Sequence, residues 1–455
     1  VKKTLSIFVL VLSLAIVAAS IAGVSPSYMV NSPSMLTGMG AKLACSGHYV
    51  SGLSEEQAFI DLQSYSPALK LLDLEYDQQQ KSVSASLLGV KTTRAQYREG
   101  LGCSLSIGDT QALDQVVVPE VVQSVEDWPI GSGGSAIESE WQTKLNSLMQ
   151  EDNAKGLNTR ALLLVKDGQL VAESYADGFD SGSKLLGWSM AKSVTALLVG
   201  HLEMTNLLDT QKQPVFDEWS EDQRRSIRFE DLLHMSSGLD FPETYEPGMG
   251  VTDMLFTANT AAELPLAAPL IHVPGEIFEY SSGTTNLFSK LIFERTGNSP
   301  QSQMDFLHQA LREPLALQDF VFETDPSGVP VGSSYLYASA RDWAKIGQLM
   351  LNRGELNGHR LVTEDWVDRA LAPNKSTNTK SYGYQFWLNA GDASLRWPDL
   401  PQDSFAALGN RKQVVMVVPS KNAVIVRLGW TSGRYPTNEN FAEILSMIEP
   451  EIPAS

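Results

Sequence analysis

Residues 185–204 read LLGWSMAKSVTALLVGHLEM: a short apolar lead-in, then Ser189-Met190-Ala191-Lys192, then an almost unbroken apolar run. Trp188 closes the extended piece, and a helix that starts near Ser189 puts that hydroxyl in the positive field of its N-terminus, which favours an alkoxide or oxyanion. Lys192 lies three residues on and shares the face of Ser189 one turn away. The run is apolar on most sides, so the helix is buried. A lysine held against it has its charge disfavoured and can act as a base near neutral pH. An N-cap serine with a solvated lysine is the commoner fate of such a pair. The second copy, Ser181-Gly182-Ser183-Lys184, fits that plainer reading, because it sits in a polar Gly/Ser loop with no helix after it.

The 455 residues can bury a large core and more than one domain. With 53 acidic against 34 basic side chains the net charge is -19, which argues against nucleic acid or an anionic membrane surface as the main partner. Lys2 and Lys3 precede roughly 20 uncharged residues that end among Ala18, Ala19, Ser20, Ala22 and Gly23. Residues 1–24 therefore read as an export signal, long enough to stay as a membrane anchor, and the protein is expected in the periplasm or anchored facing it. Only Cys45 and Cys103 are present, and in an oxidising compartment they can pair. Such a bond stabilises by roughly 4 kcal/mol in the chain-entropy view.

Residues 41–118 read as a small N-terminal α+β domain, with a helical EQAFIDLQSY and strand-like pieces ending at Cys103. Residues 119–136, with prolines and a Gly/Ser cluster, read as a linker, and 137–452 as the second domain. That domain opens with a helical pattern and a hairpin turning at Lys166-Asp167-Gly168. Helical segments fill its middle, and it closes with a hairpin across Pro419-Ser420-Lys421-Asn422 and a last helix. The order predicts an α+β fold: an antiparallel sheet built from both ends, flanked by helices, with an all-helical insertion.

Tyr280, in GEIFEYSSGTTNLFSKLIFERTG, follows a short extended piece and precedes an amphipathic helix. A tyrosine beside a lysine ammonium can have its phenol pKa lowered and relay protons between nucleophile and leaving group. SMAKS, the YSS beginning at Tyr280 and RFEDLLHMSSGLDF between them resemble the serine hydrolases of the β-lactamase/DD-peptidase fold. The class C-like branch, with penicillin-binding-protein-type esterases and 6-aminohexanoate-dimer hydrolases, is the most similar. The resemblance also takes in YASARDWAKIGQLMLNRGELNG and YGYQFW. It implies Ser189 as the acyl-accepting nucleophile, Lys192 as the base beside it and Tyr280 as the proton relay. It implies hydrolysis of a small amide or ester substrate, with no metal and no cofactor.

Two positions depart from the family pattern. Ser282 stands where many members have the asparagine of Tyr-x-Asn, so a hydroxyl replaces an amide. On the closing strand, Ala407-Leu408-Gly409 stands where Lys/His-Thr-Gly is usual. Ala407 therefore offers no cation to a substrate carboxylate, although Arg411 and Lys412 sit close by. Gly409 would still let the amide of Asn410 join that of Ser189 in an oxyanion hole. Tyr245 resembles a substrate-contacting tyrosine of the dimer-hydrolase branch, and as a plain reading is a surface loop aromatic. Gly187-Trp188-Ser189-Met190-Ala191 lacks the last glycine of a nucleophile elbow, and the six histidines are scattered, with His234 read as structural. The remaining rival is a non-catalytic cell-envelope binding protein that keeps the fold.

Overall fold

The structure, a computed structural model, describes residues 25–122, 124, 126–131 and 139–448. The apolar segment 1–24, part of the linker and both ends of the second unit as read from sequence lie outside the described residues. Among the described residues no helix is long and apolar enough to cross a membrane.

Six antiparallel strands form the main sheet, in the order Trp387–Leu388, Phe405–Gly409, Gln413–Val418, Ala423–Gly429, Thr159–Lys166 and Gln169–Tyr175. The N-terminal hairpin thus pairs with the C-terminal strands, closing the sheet from both ends of the chain. Its turn needs positive φ at both central residues, and Asp167 and Gly168 adopt 52° and 72°. QVVMVV and AVIVRLG are buried at every position, so the sheet is covered on both faces. Leu145 and Leu148 of helix Glu140–Ala154 and Phe441 and Ile444 of helix Thr437–Ser446 pack with one face. Helix Ala340–Leu351 covers the other so closely that a Cβ on Gly347 would lie 2.6 Å from Val424.

The chain between the two halves of the main sheet forms a small three-stranded sheet (Leu185–Leu186, Leu336–Ala338, Phe320–Phe322) and the helices of the insertion. Helix Met190–Met204 and helix Ser282–Arg295 pack against each other there. The first is apolar nearly all round, as a central helix should be.

The N-terminal unit begins earlier than residue 41. Its helix runs Pro26–Tyr49, capped by Ser25 with proline at its first position, and lies against a four-stranded antiparallel sheet spanning Leu72–Leu105. A Cys45–Cys103 disulfide ties this helix to the last strand. The unit docks through two buried ion pairs. Lys42, 2% exposed, meets Glu323, 0% exposed, which also accepts from Ser46 Oγ at 2.7 Å and the Cys103 amide at 2.6 Å. Arg160 Nη2 reaches both oxygens of Asp61 at 2.6 Å. Removing one partner of such a pair strands a buried charge at a cost of about 3–5 kcal/mol.

Candidate active site

The strand Leu185–Leu186 delivers the chain to Gly187, whose amide donates to Leu336 O at 2.8 Å. Trp188 then takes φ 48°, an uncommon conformation for a bulky residue, and Ser189 caps helix Met190–Met204 as the sequence predicts. Lys192 is 1% exposed. Its Nζ donates to Ser189 Oγ at 3.1 Å, Ser282 Oγ at 2.9 Å and Ser333 O at 2.9 Å. Burial lowers its pKa to about 8, against an upward pull from Glu243. About a tenth of such an amine is neutral at pH 7, where an ordinary lysine is almost wholly charged.

Sequence reasoning missed Glu243. Its carboxylate accepts from the Ser282 amide at 2.6 Å, Ser282 Oγ at 2.5 Å and the Tyr245 hydroxyl at 2.6 Å. Ser282 therefore joins Lys192 to Glu243, a part that an amide at this position would fill differently. Tyr245 is 51% exposed, yet its hydroxyl ends on this network at the cleft. The Ser333 contact was also invisible in sequence, since a backbone carbonyl carries no residue signal. Asn286 fixes it, accepting from the Ser333 amide at 3.1 Å and donating to its Oγ at 3.2 Å.

Tyr280 lies in the same group, its ring centroid 4.9 Å from Lys192 Nζ and stacked on Trp387 at 5.4 Å. Its phenol shifts opposite to the sequence expectation. Burial and the Glu243 carboxylate push the pKa up, offset in part by its hydrogen bond with Ser189. Tyr280 is thus a protonated donor in the resting site, because Lys192 meets its ring face while a carboxylate disfavours a phenolate.

Across the cleft the closing strand brings Gly409 against Gly187. A Cβ on Gly409 would sit 2.0 Å from Gly187 O, so only glycine permits the approach. The exposed Asn410 follows and, like Ser189, lines the cleft. Ala407 is 4% exposed and belongs to the core. Arg411 and Lys412, noted beside it in the sequence, line the cleft together with Arg396 and Arg434, with Glu243 the one carboxylate among the described residues that line it. Arg411 and Lys412 adopt φ 59° and 64°. Arg411 stacks at 3.8 Å on the ring of Tyr65, which also packs on Trp188 at 5.9 Å. One tyrosine of the N-terminal unit therefore buttresses the neighbours of both Ser189 and Asn410.

The second Ser-x-x-Lys is not part of this group. Lys184 pairs with Asp319 at 3.1 Å, and Ser181 stays in its loop. His234 is buried against Tyr384, with Nδ1 at 3.4 Å from Tyr382 O.

The Beta-lactamase family model matches residues 145–443. A 6-aminohexanoate-dimer hydrolase from Paenarthrobacter ureafaciens is 24% identical over 287 residues, covering 59% of this chain and 72% of that protein. Among solved structures, a family VIII carboxylesterase superposes with a TM-score of 0.55 at 14% identity, covering 69% of this chain and 99% of the other. The D-amino acid amidase of Ochrobactrum anthropi SV3 does so at 0.54 and 16% identity, covering 68% and 98%. Both share the fold.

Proposed function

The chain belongs to the beta-lactamase family, and from that premise we propose that it hydrolyses an amide or ester bond through an acyl-enzyme on Ser189. Neutral Lys192 takes the Ser189 proton, and Oγ attacks the substrate carbonyl. The developing oxyanion lies between the amides of Ser189 and Asn410, with the field of helix Met190–Met204 behind it. The proton leaves Lys192 through the Tyr280 hydroxyl and goes to the departing nitrogen or oxygen. Water then adds to the Ser189 ester, losing its proton to the same lysine, and the acid is released with Ser189 restored.

One observation carries the reading. Lys192 is fully buried, bonded to Ser189 Oγ, and has a pKa brought down to about 8. A structural N-cap serine has no need of a desolvated lysine beneath it, and burying one is costly. The relatives named for amide and ester cleavage support the bond type. Export to the periplasm, free or membrane-anchored, belongs to the same proposal, supported by the pattern of residues 1–24 and by the disulfide. The test is hydrolysis of p-nitrophenyl acetate and butyrate by the wild type and by Ser189→Ala. Turnover confined to the wild type is expected. Equal rates in both proteins, or none in the wild type across esters, amides and nitrocefin, would overturn the proposal.

A further inference from the structure

The cleft at Ser189 measures about 1240 Å³, above the roughly 300–1,000 Å³ of common ligand sites, and one wall lies outside the family-matched residues 145–443. That wall is the N-terminal helix. Tyr28, Ser32, Met35, Leu36 and Met39 all line the cleft, and their spacing of four, three, one and three residues is a single helical stripe. The opposite stripe, with Ala41, Ala44 and Cys45, is buried in the core. Met35 and Leu36 pack against the core yet stay only half-buried, so part of the apolar stripe faces the cleft. Leu69 extends the wall, and Phe256 lines the same space.

We propose that this stripe is a binding subsite for an apolar acyl arm, so that the substrates are esters or amides of medium to long alkanoyl chains. The inference rests on Ser189 being the nucleophile, since the wall is continuous with the cleft it lines. Tyr28 to Met39 spans roughly 16 Å along the helix, enough for an extended chain of about ten to twelve carbons. The polar Ser32 and Tyr28 lie towards the outer end of the stripe, and Met39, nearly fully buried, closes the inner one. The cations of the cleft, Arg396, Arg411, Lys412 and Arg434, all come from outside this helix, whose stripe carries no charge.

The experiment compares kcat/KM across p-nitrophenyl acetate, butyrate, hexanoate, octanoate and decanoate, using the full chain. Each added methylene should raise it about two- to fourfold until the stripe is filled, the factor expected from burying a CH₂. Leu36→Trp, which fills the subsite, and Leu36→Asp, which makes it polar, should each cut the octanoate-to-acetate ratio at least tenfold. Octanoate binding to Ser189→Ala protein, followed by calorimetry, reads the subsite without turnover and should weaken at least tenfold when Leu36→Trp is added. A flat wild-type series, or ratios and octanoate binding unchanged by both substitutions, would overturn the subsite. Octanoate binding that weakens with Leu36→Trp, in a protein whose wild type turns over no ester or whose Ser189→Ala variant turns them over equally, would instead overturn the role of Ser189 and leave the subsite standing.

Discussion

Replacing Glu243 by glutamine should move the acid limb of the pH–rate profile downward. Lys192 Nζ is 2.9 Å from Ser282 Oγ, which is 2.5 Å from Glu243 Oε1, so the charges lie at most about 5.4 Å apart. At an effective dielectric constant of about 20 that separation corresponds to about 3 kcal/mol, or about two pH units. The open cleft admits water and screens part of this, leaving about one unit. The sign follows from which form the carboxylate favours. Glu243 stabilises the ammonium, so its removal lowers the lysine pKa and extends the neutral, active form to lower pH. The wild-type limb in kcat/KM for p-nitrophenyl acetate is expected near the Lys192 value of about 8, and that of Glu243→Gln near about 7. Glutamine can keep a hydrogen bond to Ser282, so the position of the limb reads charge, whatever happens to the plateau rate. A limb that stays in place, or moves up, would show that the base is not Lys192 or that Glu243 does not act on it.

Tyr65→Ala should lower kcat for p-nitrophenyl acetate about tenfold, with Tyr65→Phe near wild type, because the ring holds Trp188 and Arg411 in positive-φ conformations beside both oxyanion donors; equal losses in both variants would assign the effect to the hydroxyl. Lys412→Ala should reduce kcat/KM for nitrocefin, which carries a carboxylate, about three- to tenfold while sparing neutral esters. A proportionate loss on both substrates would remove Lys412 from carboxylate recognition. Lys42→Ala should destabilise by about 3–5 kcal/mol in urea denaturation, since it leaves Glu323 buried and unpaired. A change below about 1 kcal/mol would show that the pair does not hold the two units together.

The parts of the fold legible in sequence were those written in local order. The apolar run after Ser189, the Asp167-Gly168 turn and the paired strands of the closing hairpin each declare their element within a few residues. Ser189 and Lys192 came from the same source, because one helical turn fixes their relation. Glu243 was hidden because it sits on an irregular loop, where no periodicity says which way a side chain turns. Tyr65 was hidden for a different reason: only docking of the N-terminal unit brings it to Trp188 and Arg411, far along the chain. The direction of the Tyr280 shift failed because adjacency to a lysine suggested one field, whereas burial and a carboxylate from another segment set it. Ala407 is buried in the core of the closing strand, and the cations of the cleft come from the turn after it and from more distant loops, which no motif on the strand announces.

The central claim is that Ser189, of the two serines that precede a lysine by three residues, becomes covalently acylated. Intact-mass analysis and peptide mapping after treatment with a fluorophosphonate probe test it directly. One adduct is expected, on the peptide containing Ser189, kept in Ser181→Ala and absent in Ser189→Ala. An adduct on Ser181, or an unlabelled wild-type protein that still turns over p-nitrophenyl esters, would contradict it.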